Sequence, residues 1–223
     1  MELLDITGCT ITIDAIGTQE KIMDKIIEKQ GHFCLQLKKN QKTACNDTAL
    51  FFQDMEQNSP KAFQELSSHT EQTKDHGRVE KREYYTYSNL DIIRQILDPR
   101  WKHVKCIGMA RLTRRVGEVT STEVHYHLLD TETSAADYGK LARGHWAIEN
   151  CLHWVLDIHF REDGSTANHG NAISNLTLLR KIAFNFTKLD PSMNKKTTKQ
   201  KMIDFMTGPQ LFINLVFSTI PSL

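Results

Sequence analysis

Cys9-Thr-Ile-Thr-Ile-Asp14-Ala15 and His32-Phe-Cys-Leu-Gln-Leu-Lys38 flank the stretch that decides the fold. A period of two predicts a β-strand for each segment, and in the first segment the apolar residues fall on one face. Residues 18 to 29 between them carry apolar residues at helical spacing, and Gly31 ends that helix. Strands joined through a helix form a parallel pair, so Asp14 is expected in the crevice where open α/β sheets bind ligands.

The middle of the chain is predicted to form two helices followed by a β-rich region. Residues 43 to 66 have apolar residues at helical spacing, and Ser59-Pro60 breaks this run into two helices. Further on, the pattern predicts strands at 78 to 87, 103 to 112 and 122 to 129, with a helix near 90 to 97. We therefore expect a β-rich insertion between about residues 67 and 130.

The segment Arg143-Gly-His-Trp-Ala-Ile-Glu149-Asn-Cys-Leu-His153-Trp-Val-Leu-Asp157 lies in a long predicted helix, from about residue 134 to 160. Four polar residues of this helix stand four positions apart and form one ridge: His145, Glu149, His153 and Asp157. The ridge offers Glu149 as a metal ligand on a rigid element. A solvated face is the alternative, because amphipathic surface helices show the same rows. A further helix is predicted from about 171 to 189.

Composition limits the class of protein. The 223 residues are 39% hydrophobic and 25% charged, which suits one substantial domain or a core with a small appendage. The net charge of +1 gives no strong overall field, so any nucleic-acid surface must be a local patch such as Lys38-Lys39. Five cysteines without a Cys-x-x-Cys pair favour a reducing cytoplasm over a disulfide framework or zinc ribbon. Neither an export signal nor a membrane span is expected.

Four motifs follow one another along the chain: Thr12-Ile-Asp14-Ala15, Leu37-Lys-Lys-Asn-Gln41, His76-Gly-Arg-Val-Glu80-Lys-Arg82, and the 143–157 segment with Phe160-Arg-Glu-Asp163 behind it. Together and in this order they resemble the C-terminal part of bacterial insertion-sequence transposases of the H-repeat-associated type, the DDE enzymes found beside Rhs elements. The resemblance covers most of the chain, from about residue 3 to 190.

The resemblance implies an α/β fold with a ribonuclease-H-like core, in which three acids (Asp, Asp and Glu) bind two divalent ions. Asp14 matches the second acid and Glu149 the third, so both are expected as catalytic residues and as ligands of Mg²⁺ or Mn²⁺. Two such ions about 3.5 to 4 Å apart activate water and stabilise the leaving 3′ oxygen of a phosphodiester. The expected activity is DNA transposition, by hydrolysis and strand transfer at the insertion-sequence ends of double-stranded DNA.

The resemblance also implies a division into three parts. Residues 1–42 would form part of the core, residues 43–130 a helical and then β-rich insertion, and residues 131–223 the catalytic helix and the C-terminal helices. In the family the first acid lies upstream, in an Asp-Gly-Lys type motif that this sequence lacks. We therefore expect an incomplete core without its first strands, from a truncated transposase that is poorly active or inactive alone. Its exposed sheet edge would favour a second copy or a full-length transposase as partner.

Eight residues are expected to contact DNA: Lys38, Lys39, Asn40, Gln41, His76, Arg78, Arg82 and Arg143. Those between 76 and 82 alternate in a predicted strand and would present cations to phosphates on one face. A salt-bridge ladder through Glu80 is the alternative there. Residues 38 to 41 follow the second predicted strand at the crevice edge, where a polar turn is the alternative.

Three functions from different classes are consistent with the sequence. The first is a DDE transposase core or a remnant of one, cytoplasmic and associated with the nucleoid when bound to DNA. The second is a catalytically inactive DNA-binding module derived from a transposase. The third is a hydrolytic metalloenzyme with His145, Glu149 and His153 as ligands, although the chain has no His-Glu-x-x-His motif.

Overall fold

The computed structural model describes residues 4–75, 77–148, 152–162, 164–166, 170–189 and 195–219. Two compact units divide the chain, Met1–Trp146 and Ala147–Leu223. The first contains a six-stranded sheet with the order β1-β2-β6-β5-β4-β3. An α/β fold is therefore confirmed.

The N-terminal strand, helix and strand form as predicted. The elements are β1 (Thr10–Ile13), α1 (Glu20–Glu28) and β2 (His32–Leu37). β1 pairs in parallel with β2, from Thr10 opposite His32 to Ile13 opposite Leu35. The two strands therefore end at the same edge of the sheet, with Asp14 directly after β1.

Two helices follow and break where the sequence predicts. α2 (Lys42–Asn58) ends one residue before Ser59, and α3 (Pro60–Gln64) begins with the proline. Proline suits the first turn of a helix because its missing N–H would have no partner inside the helix there.

The predicted β-rich region is a meander of four antiparallel strands with one helix. They are β3 (Ser67–Asp75), β4 (Arg78–Tyr87), α4 (Leu90–Ile96), β5 (Cys106–Val116) and β6 (Val119–Leu129). β6 pairs with β2, so the meander extends the sheet that starts with β1. The β5–β6 hairpin is longer than predicted because its exposed tip has no apolar alternation to signal the pairing that the backbone makes there.

β3 was not predicted. Its sequence, Ser-Ser-His-Thr-Glu-Gln-Thr-Lys-Asp, has no apolar residue, so it gives no signal of a buried face. It lies at the end of the sheet and pairs with β4 over nine residues, from Ser67 opposite Thr86 to Asp75 opposite Arg78. An edge strand needs only backbone hydrogen bonds on one side, and polar residues are typical of such edges.

Helices cover both faces of the sheet in the first unit. On one face a large apolar core joins α1, α2 and α4 to the sheet, with Met23, Phe52 and Ile93 each at most 2% exposed. On the other face α5 (Ala135–Ile148) packs through Ala135 and Tyr138 against a second buried cluster. Apolar side chains of β1 and β2 thus pack into the first of these two clusters.

One long helix was predicted from 134 to 160. The structure is helical before and after residues 149–151, which lie outside the described residues. α5 ends at Ile148, and α6 (Trp154–Phe160) belongs to the second unit. There α7 (Ala172–Leu189) confirms the predicted later helix, and α8 (Thr198–Thr207) and α9 (Pro209–Thr219) follow. None of the described helices is long and apolar enough to cross a membrane.

A small apolar cluster holds the second unit together. Val155 and Leu156 of α6 pack with Phe184 of α7, and Phe160 lies edge-on to Phe184 with ring centroids 6.5 Å apart. The buried Lys201 of α8 donates from Nζ to the Thr187 carbonyl oxygen at 2.8 Å, which ties α8 to the end of α7.

Candidate active site and nucleic-acid interface

Asp14 begins a tight turn at the end of β1. Its carboxylate Oδ1 accepts a hydrogen bond from the Ile16 amide at 3.1 Å, and its carbonyl oxygen accepts one from the Gly17 amide, also at 3.1 Å. The side chain is exposed, while Ala15, Gly17 and Thr18 behind it are buried. The turn therefore exposes one carboxylate, while the residues that follow Asp14 in the turn are mostly buried.

The turn after β2 contacts this loop directly. Asn40 Nδ2 donates to the Ala15 carbonyl oxygen, and Gln41 Nε2 donates to the Thr18 carbonyl oxygen. Lys38 and Lys39 in the same turn are exposed. The amide groups of Asn40 and Gln41 are thus engaged within the protein, whereas the two lysines face solvent. DNA contact by these four residues stays a prediction.

The first turns of α5 fit closely onto the sheet. A Cβ on Gly139 would lie 2.9 Å from Cδ2 of Tyr84, and a Cβ on Gly108 would lie 2.7 Å from Cζ of Tyr138. Contacts this short leave no room for a side chain at either position. Tyr84 and Tyr138 pack edge-on with ring centroids 5.9 Å apart. The sheet and the helix therefore interlock through two glycines and two tyrosines.

A buried histidine joins this interlock. His127 Nδ1 lies 2.8 Å from the Tyr138 hydroxyl oxygen, and both side chains are buried. Burial, with the nearby charges of His125, His145 and Lys38, lowers the pKa of His127 to about 3. Burial raises the pKa of Tyr138 well above its ordinary value. His127 is therefore neutral at physiological pH and serves as a hydrogen-bonding core residue.

Further along α5, Trp146 lies beside the end of β2. Its indole packs edge-on against His125 of β6 with centroids 5.5 Å apart, and His125 Nδ1 is 3.1 Å from Gln36 Nε2 in β2. A small pocket of about 40 Å³ opens here, lined by Trp146, His125, Arg82 and Arg143 among others. Burial is the main cause that lowers the pKa of His125, and the charge of Lys38 adds to it.

In the structure, the arginines of the predicted cationic strand form a salt-bridge ladder around Glu80. Arg78 Nε lies 2.9 Å from Glu80 Oε1, and Arg82 Nη2 contacts Glu80 Oε2. Arg114 on the neighbouring β5 approaches Glu80 Oε1 at 3.9 Å. Three guanidinium groups therefore surround one largely buried carboxylate, and the side chains of Arg78 and Arg114 remain more exposed than that of Arg82. DNA contact by Arg78 and Arg82 stays a prediction.

Arg143 of α5 makes an ion pair with Glu71 of β3 at 2.7 Å, with about half of the arginine side chain exposed. Glu71 faces Arg82 in the register of β3 and β4. The predicted DNA contacts Arg82 and Arg143 therefore share one face of the sheet, around a strand that the sequence did not predict.

Two predicted site residues, Glu149 and His76, lie outside the described residues, as does Asp163. The third acid thus stays a prediction. Among the residues that the structure does describe, no three His, Cys, Asp or Glu side chains come together as a metal site. Asp14 does fit the donor type that Mg²⁺ prefers, since it offers an exposed carboxylate oxygen on a fixed turn.

Comparison with known proteins decides the family. Residues 1–186 match the family described as "Transposase DDE domain". This chain belongs to the transposase DDE domain family. It is 31% identical over 196 residues to "Putative protein YbfL" of Escherichia coli strain K12, which covers 85% of this chain and 50% of that protein. The predicted resemblance is confirmed, and transposase function is supported at the level of the family.

Two other relatives carry transposase names. "Putative transposase YncI" of Escherichia coli O157:H7 is 30% identical over 194 residues, covering 84% of this chain and 48% of that protein. "H repeat-associated putative transposase YhhI" of strain K12 is 30% identical over 196 residues, covering 85% and 50%. The chain thus spans about half the length of the curated relatives it matches. The solved structure of Streptomyces venezuelae DesVI overlaps with a TM-score of only 0.25 at 9% identity, covering 60% of this chain and 49% of that one, and has no bearing on the fold.

Sequence reasoning missed several residues that build this region. Glu71 gave no signal because β3 is polar throughout. His125 and His127 were detectable, since the alternation of residues 122 to 129 places them on one strand face. The contact of His127 with Tyr138 was not, because it depends on how α5 lies on the sheet.

Proposed function

We propose that this family member acts on DNA as part of a DDE transposase core, with Asp14 and Glu149 as metal ligands for cleavage and strand transfer at insertion-sequence ends. The observation that carries the proposal is the place of Asp14. It is an exposed acid at the end of a parallel strand, on a turn hydrogen-bonded to the next strand, in a chain of this family.

Asp14 and Glu149 are proposed as the metal ligands, and the neighbouring residues as the groups that hold them in place. Divalent ions, when bound, activate the attacking hydroxyl and stabilise the leaving 3′ oxygen. Asp14 supplies a hard oxygen ligand, and the turn after it fixes the direction of the carboxylate. Glu149 follows Trp146 by three residues, and Trp146 lies against His125, which contacts Gln36 of β2. Within the first unit, α5 thus reaches the end of β2 through Trp146.

The finer fold assignment is also a proposal. β1, α1 and β2 would form the second half of a ribonuclease-H-like core, and the β3–β6 meander would be its insertion. The sheet order supports this, because β1 lies at the end of the sheet and, among the described strands, pairs with β2 alone. Its open edge could accept a strand carrying the first acid, from a longer transposase chain or a second copy.

DNA would lie across the polar face that carries the predicted contacts. Lys38 and Lys39 extend from the turn beside Asp14, and Arg78, Arg82 and Arg143 lie on β4 and α5. Cations that neutralise phosphates position a duplex without reading its sequence. This arrangement supports backbone contact by the chain and association with the nucleoid through DNA.

The proposal is tested by DNA nicking. This chain, joined behind the N-terminal half of the H repeat-associated relative, is given a supercoiled plasmid with insertion-sequence ends and Mg²⁺. Asp14→Ala and Glu149→Ala should each reduce nicking to background, whereas Glu118→Ala at the exposed β5–β6 turn should leave it unchanged. Full nicking by either of the first two variants would reject that acid as a metal ligand.

A further inference from the structure

Side chains from the turn after β2 hold the loop that carries Asp14. Asn40 Nδ2 donates to the carbonyl oxygen of Ala15, and Gln41 Nε2 donates to that of Thr18. These two carbonyls lie at opposite ends of the turn behind Asp14. We call Asn40 and Gln41 the amide clamp.

A third hydrogen bond joins the same loop to β2. Thr18 is fully buried, and its hydroxyl donates to the Gln36 carbonyl oxygen in β2 at 2.7 Å. A Cβ on Gly17 would lie 2.3 Å from Cγ2 of Ile13, so the turn has no room for a side chain there. The loop is thus fixed by β2, by the turn after β2, and by the last residue of β1.

The direction of the Asp14 carboxylate depends on this fixed backbone. Oδ1 accepts from the Ile16 amide, and Ile16 is the residue directly after Ala15, which the clamp holds. Within the part of the chain that the structure describes, no hydrogen bond to Asp14 Oδ2 is found. One oxygen therefore orients the carboxylate, and Oδ2 of this exposed side chain is left as the candidate metal ligand.

We propose that Asn40 and Gln41 are positioning residues that fix the Asp14 carboxylate for metal binding. This inference rests on the proposed function and deepens it, because it assigns the two amides, predicted from the sequence only as DNA contacts, to the support of a metal ligand. Each amide donates one of its two N–H groups to a backbone carbonyl, so the contact with the loop fixes the direction of both side chains. Lys38 and Lys39 keep the DNA role.

The general physics supports such a role. Groups that hold a metal ligand in place commonly change metal affinity by roughly tenfold to a hundredfold when removed. A single neutral hydrogen bond contributes little net free energy to folding, so removing a clamp amide should leave the fold intact. Metal affinity and folding should therefore respond very differently to the same substitution.

The test uses the full chain with Mn²⁺ alone as the probe. Asn40→Leu and Gln41→Met remove the donor at nearly constant volume, and Asn46→Leu on the exposed side of α2 is the matched control. Mn²⁺ binding is followed by electron paramagnetic resonance, with Asp14→Ala marking the binding due to Asp14. Amide hydrogen exchange at Gly17 and Thr18 reports the loop itself.

We expect Asn40→Leu and Gln41→Met each to weaken the Asp14-dependent Mn²⁺ binding by roughly tenfold and to speed exchange at Gly17 and Thr18. The control should change neither quantity. Wild-type Mn²⁺ affinity in a folded Asn40→Leu, Gln41→Met double variant would overturn the inference, whatever the exchange rates.

A second outcome separates this inference from the proposed function. If the wild-type chain binds no Mn²⁺ through Asp14, the clamp inference is overturned, while the proposed function is still decided by the nicking test, in which the joined N-terminal half supplies the first acid. If Mn²⁺ binds but the double variant loses affinity without faster loop exchange, the clamp explanation fails, while Asp14 remains a ligand.

Discussion

The loop after β1 and the first turns of α5 each lead to a predicted metal ligand, but the sheet holds them in different ways. The Asp14 loop is tied by side-chain amides and a buried hydroxyl that bind backbone carbonyls. α5 is held by close packing of glycines against tyrosine rings, with His127 bonded to Tyr138. Substitutions in the Asp14 loop should therefore change the local order of that loop. Substitutions in the first turns of α5 should change the free energy of unfolding of the chain.

The largest effect is expected from Gly139→Ala in α5. The new methyl group would lie 2.9 Å from the Tyr84 ring, and overpacking of this kind typically costs about 1 to 3 kcal/mol. Gly144→Ala in the same helix is the matched control, because no atom of the described residues lies within 4 Å of its Cβ position. That variant should gain roughly 0.5 to 1 kcal/mol from helix propensity. Urea unfolding measures both, and equal shifts would refute the interlock.

A second prediction concerns pH and sharpens the same contrast. His127 has a folded pKa of about 3, whereas an unfolded histidine titrates near 6.5, so only the unfolded state takes up this proton between those values. The stability due to neutral His127 is complete above pH 6.5 and is lost as pH falls toward 3. The slope should be about 1.4 kcal/mol per pH unit near pH 5.

His127→Asn is the variant that isolates this slope. Asparagine can keep a hydrogen bond to the Tyr138 hydroxyl but does not titrate. The free energy of unfolding of the variant, measured from pH 6.5 to 4.5, should fall less steeply than that of the wild-type chain. Identical slopes would show that His127 is not buried in its neutral form.

At the loop side, the exposed lysines should affect DNA affinity rather than stability. Lys39→Gln should weaken duplex binding severalfold and reduce the slope of log K against log salt by about 0.9, the value for one phosphate contact. Lys61→Gln on the exposed surface of α3 is the control. Fluorescence anisotropy at several salt concentrations measures both, and an unchanged slope for Lys39→Gln would remove it from the interface.

The smallest effect is expected from the ion pair that joins α5 to β3. About half of the Arg143 side chain is exposed, and pairs in such settings contribute roughly 0.2 to 1 kcal/mol. A double-mutant cycle with Arg143→Ala and Glu71→Gln measures the coupling energy. A coupling well above 1 kcal/mol would mean that α5 depends on this pair as much as on the Gly139 contact.

Much of the fold could be predicted because periodicity reports burial. β1, α1, β2, β4 and α7 lie where apolar spacing places them. β3 was missed because an edge strand of polar residues has no periodic signal. The hydrogen bonds of Asn40 and Gln41 also could not be predicted from the sequence. The turn itself was predicted as an alternative, but the acceptors at Ala15 and Thr18 lie 25 and 23 residues away.

The proposed function requires Asp14 and Glu149 to share one metal site, and Mn²⁺ titration of single and double variants, in the chain joined behind the N-terminal half of the relative, tests this most directly. If both acids hold one site, Asp14→Asn and Glu149→Gln should each remove the tightest Mn²⁺ binding, and the double variant should lose no more than either single one. If one single variant keeps full Mn²⁺ affinity, or the two losses add as independent sites do, the two acids do not share a site and the account is contradicted.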